Sequence, residues 1–182
     1  YHVFSVRADA SLKTPADVIN RLRKDPGSLS IAISPSIGSA NHFAVATILK
    51  AGGIDIKRLR IVSFASAGES MTSVLGGHAD LLVSATPSVA PMIAAGKMRA
   101  LAVTSPNRLG GAFSAIPTWK ESGVNAEFSN WRGLVGPARM TVEQIEYWDR
   151  VLQRMVQTDE WKADLAKNNQ QLPPGSAQAK EI

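Results

Sequence analysis

Apolar positions in the first hundred residues come in short runs, each followed by small or hydroxyl residues and then by a stretch with helical spacing. Residues 3–7 alternate apolar and polar and predict a strand. Thr14-Pro15-Ala16-Asp17 predicts a helix start, with a hydroxyl to cap, proline in the first turn and an acid at the positive end of the dipole. Val18, Ile19 and Leu22 give that helix its buried stripe, and Asp25-Pro26-Gly27 stops it. The cycle then repeats. Strands are predicted at residues 29–33, 60–64, 79–84 and 98–104, and helices at 40–51, 69–75 and 86–96. Gly52-Gly53, Gly76-Gly77 and Gly96 close the helices. Strand-then-helix repetition of this kind predicts an α/β fold with a doubly wound, mainly parallel sheet. In such folds ligands sit at the carboxyl ends of the strands.

After Ser105 the rhythm breaks. Residues 106–117 are rich in turn formers, 118–122 predict a short helix, and 127–135 form a strand-like run through Trp131. Residues 141–157 predict a long amphipathic helix with Ile145, Trp148, Leu152 and Met155 on one face. Residues 158–167 predict a second helix carrying Trp161 and Leu165, and the polar tail from Gln170 reads as loop. This block has too few strands for a sheet of its own, so its apolar faces need a partner. Trp148 and Trp161 read as packing residues. Trp131, in the polar stretch Ser129-Asn130-Trp131-Arg132-Gly133, reads as core by default, with an exposed aromatic or an interdomain crossover as the other reading.

Composition narrows the class. The chain has 182 residues, 45% of them hydrophobic, no cysteine and a formal net charge of +5. That length suits one domain or slightly more and buries a proper core, which excludes a disulfide-stapled miniprotein, a coiled coil and a disordered segment. Apolar runs such as Ile31-Ala32-Ile33 fall far short of the roughly 20 residues that cross a bilayer. No charged and apolar leader opens at Tyr1, so a signal peptide, if one is encoded, lies before it. The missing cysteines exclude thiolate catalysis and cysteine-ligated zinc. Residues 1–125 hold 13 Lys/Arg against 7 Asp/Glu, whereas residues 126–182 hold 7 against 8, so the first part favours anionic ligands. The basic cluster Lys57-Arg58-Arg60 is short and has no interleaved aromatics, so no nucleic acid partner is expected.

Nothing in the sequence asks for catalysis. His2, His42 and His78 form no ligand pair at i and i+4, and no Gly-x-Ser-x-Gly elbow is present. His78-Ala79-Asp80 reads as a turn and a strand start rather than a metal site, so no metal and no cofactor are expected. Three loops stand out instead: Ser34-Pro35-Ser36-Ile37-Gly38-Ser39, Ala65-Ser66-Ala67-Gly68 and Ser84-Ala85-Thr86. Each follows a predicted strand and precedes a predicted helix. Small residues let an anion approach the free amides of a helix N-terminus, and hydroxyls add donors without a fixed charge. Phe64 ends its strand beside the second loop and reads equally as a pocket wall or as core. Any one such loop is an ordinary helix cap, whereas three at one sheet edge make a pocket.

The chain also carries an ordered series of motifs. They run from Leu12-Lys13-Thr14, Asp25-Pro26-Gly27 and the 34–39 loop to Val74-Leu75-Gly76-Gly77-His78-Ala79-Asp80 and Pro87-Ser88. Ala95-Gly96-Lys97-Met98-Arg99-Ala100-Leu101-Ala102-Val103-Thr104-Ser105 follows, then Ile116-Pro117-Thr118, Glu121-Ser122-Gly123, Trp131-x-Gly133-Leu134 and Gly136-Pro137-Ala138. In this order they resemble the periplasmic substrate-binding receptors of tripartite tricarboxylate transporters, the Bordetella uptake gene family. The resemblance implies a hinge-closing, two-lobed receptor of the type II periplasmic-binding-protein class that delivers a small carboxylate to a membrane permease. It implies no enzyme activity, a periplasmic location, and a carboxylate held by main-chain amides, hydroxyls and waters at residues 34–39 and 64–68 and near Ser84 and Thr86. Family members usually carry Tyr-Lys-Gly-Gly where this chain has Phe64-Ala65-Ser66-Ala67, and an acid near Ser84 that is missing here.

The resemblance further implies about a hundred residues before Tyr1. On that reading residues 1–125 are the family's complete second domain, the ligand-binding lobe, and residues 126–182 are the returning C-terminal part of the first domain, without its N-terminal sheet. Expected consequences are weak ligand binding by the chain as given, with no dissociation constant below about 1 μM, and exposed apolar faces able to drive dimerisation. The competing readings are the effector-sensing half of a transcription regulator, marked by a helix-turn-helix before Tyr1, and an enzyme on an α/β scaffold.

Overall fold

The computed structural model describes residues 1–168 and 170, and the contacts divide the chain into two compact units, Tyr1–Asn130 and Trp131–Ile182. Unit 1 runs β1 (His2–Arg7), α1 (Pro15–Lys24), β2 (Ser30–Ile33), α2 (Ala40–Ala51), β3 (Arg60–Ser63), α3 (Ala67–Leu75), β4 (Leu81–Ala85), α4 (Thr86–Ala94) and β5 (Met98–Val103). The five strands form one sheet in the order β3-β2-β4-β1-β5. β2 lies parallel to β3 and β4, while β1 runs antiparallel to both β4 and β5. The expected α/β, mainly parallel sheet is therefore present, with one reversed strand in its interior.

Side-chain alternation sorts the core into two layers. Phe4, Val6, Ile31, Ile33, Leu81 and Val83 face α1, α2 and Trp119, whereas Val3, Ala32, Leu82 and Val103 face α3, α4 and Phe113. The apolar–polar alternation of β1 suits a strand with one solvated face. Both of its faces are covered, and even Ser5 is fully buried. The helices start where their caps dictate. Thr14 Oγ1 accepts the Asp17 N–H, and Asp17 Oδ2 accepts the Thr14 and Lys13 N–H groups at 2.8 and 2.9 Å. These donors hold the Asp17 carboxyl below the usual range.

Both ends of unit 1 meet at Thr104. Its Oγ1 accepts the His2 N–H at 3.0 Å and donates to the Phe128 carbonyl at 2.7 Å, while its N–H donates to the His2 carbonyl and its carbonyl accepts the Phe128 N–H. Two expectations around this point fail. Residues 118–122 are turns, not a helix: Thr118 and Glu121 cap each other, and Gly123 at φ +87° breaks the chain away. Residues 127–135 contain no strand. Thr118 bridges Val103 at the end of β5, and the later run is tied to this end by Phe128 through Thr104. Trp131 is 79% exposed rather than core.

Unit 2 contains α5 (Val142–Met155) and α6 (Asp159–Lys167), each started by a threonine cap at Thr141 and Thr158. No residue of either helix is buried, so Ile145, Trp148 and Val151 keep an apolar face open. The loop expected from Gln170 lies, beyond that residue, outside the described residues. No helix among the described residues is long and apolar enough to cross a membrane.

Candidate functional site

β2, β3 and β4 are parallel neighbours, so the loops that follow them emerge at the same sheet edge, with the 34–39 loop between the other two. The topology thus brings Ser36, Ser66 and Thr86 to one edge. Their environments differ sharply.

The 34–39 loop presents Ser36, Ile37 and Gly38 to the surface. It is pinned from behind. Ser34 is buried, and its carbonyl accepts Asn41 Nδ2 at 2.6 Å and Ser39 Oγ at 3.3 Å. Gly38, at φ +86°, donates its N–H to His42 Nδ1 at 3.1 Å. Ser39 caps α2 by accepting the His42 N–H. The first two helical amides, of Ala40 and Asn41, have no acceptor within the helix, and no acid lies in the first turn. The positive end of this dipole is uncompensated.

The 65–68 turn is more closed. Ser66 caps α3 through the Glu69 N–H at 3.2 Å, and Glu69 Oε2 reaches back to the Ala65 N–H at 3.3 Å. A resident carboxylate therefore already faces this helix start. Ala67 and Gly68 open the helix and are exposed. Phe64 is half-buried and packs on the α3/α4 layer, so it is part core and part wall.

The third loop departs from expectation. Ser84 is buried, with its hydroxyl turned to the Ala85 carbonyl, and Thr86 is fully buried with its Oγ1 unpartnered. The Thr86 N–H donates to the Tyr1 carbonyl, and Pro87 has none to offer. The start of α4 is thus closed to an anion by the antiparallel neighbour β1, which no periodicity argument places there. Ser39→Ala and Ser66→Ala should each lower unfolding stability by about 1 kcal/mol through the lost caps, measured by thermal denaturation. No change in either variant would mean that these caps do not form.

Sequence reasoning missed His2. It is 1% exposed at this same edge, its ring 5.3 Å from Phe128 and its Nδ1 without a hydrogen-bond partner. Burial, the largest cause, lowers its pKa to about 4, against an opposing pull from Asn41. A neutral imidazole therefore backs the loops at neutral pH. The one available signal was its place at the head of an apolar strand. A 70 Å³ recess lined by Tyr1, Pro106 and Phe128 lies nearby. No group of three or more metal-ligating side chains occurs among the described residues.

Comparison with known proteins agrees with this architecture. A family model described as "Tripartite tricarboxylate transporter family receptor" matches residues 2–181. Among curated relatives, a UPF0065 protein of Pseudomonas sp. (strain P51) is 26% identical over 79% of this chain and 43% of its own length. One from Agrobacterium vitis is 29% identical over 72% and 37%. The chain therefore spans less than half of these relatives. Among solved structures, a Polaromonas TctC solute-binding protein aligns at TM-score 0.74 and 25% identity over 92% of this chain and 56% of its own. The Rhodopseudomonas palustris protein MatC, solved with malate, aligns at 0.75 and 16% over 98% and 59%, and an R. palustris protein solved with adipate at 0.76 and 22% over 92% and 55%. At those identities the last two support the fold alone.

Proposed function

We propose that this chain, which belongs to the tripartite tricarboxylate transporter receptor family, supplies the anion-gripping lobe of a periplasmic receptor that passes a small carboxylate to a membrane permease. The reading rests mainly on α2. It has no acid in its first turn and sits behind an exposed, glycine-containing loop pinned by Asn41 and His42. Amides aimed outward at such a point bind a carboxylate without a salt bridge. α3 adds a weaker contribution because Glu69 competes there. The two R. palustris structural neighbours solved with adipate and malate favour a carboxylate as the ligand class. On this reading residues 1–125 are the lobe that closes on the ligand and residues 126–182 belong to its counterpart, with closure stabilised by a ligand that touches both.

Proline at the first helical position keeps the helix but deletes the amide. Ala40→Pro should therefore leave folding intact and weaken carboxylate binding about tenfold, or about 1.4 kcal/mol, with Ala67→Pro weaker in effect. The screen is a thermal-shift assay of the full-length gene product against mono-, di- and tricarboxylates, followed by calorimetry on the best ligand. Stabilisation by neutral sugars with none by carboxylates would overturn the reading, as would an Ala40→Pro variant that binds as tightly as the parent.

A further inference from the structure

The opposite edge of the sheet carries a different kind of recess. β1 runs against β2 and β4, so its last residue, Arg7, arrives where β2 and β4 begin, beside Leu29 and Asp80. There a cavity of about 180 Å³ is lined by Arg7, Ser11, Leu12, Arg21, Gly77 and Asp80, among others. We propose that this cavity is a second anion site, separate from the three loops, that takes a compact oxyanion (a phosphate or carboxylate group) on the guanidinium groups of Arg7 and Arg21.

The charges around it leave donors to spare. The Asp80 carboxylate is engaged by neutral donors: Oδ2 accepts the Ser30 N–H at 2.8 Å and Ser30 Oγ at 2.6 Å. No ion pair joins Asp80 to either arginine among the described residues. Arg21 makes one long bond, Nη2 to the Ser28 carbonyl at 3.4 Å, and no ion pair. Arg7 is the more committed of the two, because its Nε donates to Asp9 Oδ1 at 2.5 Å. That contact uses one of five donors and fixes the plane of the guanidinium, leaving the Nη pair for a bidentate partner.

The recess is also preformed. Gly77 sits at φ +77°, where other residues are strained, and a Cβ there would lie 3.0 Å from Arg7 Nη1, so the guanidinium packs closely over this glycine. The segment forming one wall is fastened by a third cation: Arg99 donates to the carbonyls of Ala8 at 2.5 Å, Leu12 at 3.3 Å and Ala10 at 3.5 Å. The reciprocal Ser30–Asp80 bonds hold the β2 and β4 ends together beneath it. Leu12, Leu29, Val74 and Ala79 supply a buried apolar floor, which strengthens any charge interaction made above it. Space for several waters, each about 30 Å³, matches an oxyanion that keeps part of its hydration. Asp9 competes for Arg7 and the unneutralised Asp80 carboxylate in the lining repels an anion, so the affinity should be modest and specific to anions that engage both arginines.

The test is thermal unfolding of the 182-residue chain with inorganic phosphate, sulfate or succinate, each balanced by chloride to constant ionic strength. At least one oxyanion should raise the melting temperature along a saturating curve. Arg21→Gln should weaken the apparent affinity at least tenfold and Arg7→Gln by a comparable factor, while Ser66→Ala and Ala40→Pro leave it unchanged. A response to phosphate and sulfate alone identifies tetrahedral anions as the class, and a response to succinate as well extends it to carboxylates. If one arginine variant folds poorly, isothermal calorimetry on the other decides. No saturable effect from any of the three anions, or a curve unaltered by both arginine variants, overturns the site. Because Ala40→Pro acts only at the other edge, its result separates failure of this site from failure of the proposed receptor function.

Discussion

Trp119→Ala should destabilise unit 1 by about 3–5 kcal/mol, the largest effect expected from any single truncation here. Among the described residues Trp119 is the bulkiest fully buried side chain, and it meets Phe4 of the interior strand β1 edge-on at a centroid distance of 4.9 Å. Its main chain is equally committed: its N–H donates to the Val103 carbonyl, and its carbonyl accepts the Val124 N–H. Removing the ring leaves a cavity between the sheet and the turn that covers it. Trp119→Phe should cost much less. The indole Nε1 is buried without a partner, so losing that donor offsets part of the lost packing by about 1–3 kcal/mol. Urea unfolding followed by circular dichroism separates the two. A Trp119→Ala midpoint indistinguishable from the parent would refute this account of the core.

Acid should weaken the fold earlier than carboxylate titration explains. His2 has a folded pKa of about 4, against about 6.5 for an unfolded histidine. The neutral form is the one the fold accepts, so above about pH 6.5 the residue costs nothing. As pH falls from about 6.5 toward 4, the unfolded chain takes up a proton that the native chain refuses, and stability is lost across that window. Between pH 7.5 and 5 the loss amounts to roughly 2 kcal/mol. Asp9, Asp17 and Glu121 have lowered pKa values, from bonds to Arg7, to the Lys13 and Thr14 amides and to the Thr118 amide respectively. Their contributions are present above their unfolded values and vanish only at more acid pH, outside this window. His2→Leu should flatten the pH 7.5-to-5 change in melting temperature, and an equally steep profile in that variant would sink the assignment.

How much of this was readable from residues alone varies with the kind of information involved. Thr14, Pro15 and Asp17 announce α1 because a cap is a local hydrogen-bond pattern, and the observed bonds are the expected ones. Likewise Ser34, Ser36, Ser66 and Thr86 converge on one edge because strand–helix alternation forces it. The reversed direction of β1 was not legible, because a period of two tells which face a side chain takes but not which way the strand runs. The error at Thr86 follows from that single gap: its amide donates to the Tyr1 carbonyl and its hydroxyl is buried, so a third expected donor loop is closed. His2 was overlooked for the same reason, since a terminal residue of an edge strand would be solvated, whereas this strand is interior. Trp131 failed differently. Its surroundings suggested a strand, but residues 127–135 contain none and Trp131 stays exposed.

The position of β1 has a bearing on biosynthesis. It leaves the ribosome well before either of its ladder partners, Leu81–Ala85 and Met98–Val103. A nascent polypeptide must therefore carry Val3, Phe4 and Val6 unsheltered through most of unit 1's translation before the sheet can close. Distant pairings of this sort slow folding and lengthen exposure to misassembly, so holdase protection of β1 would shorten that exposure.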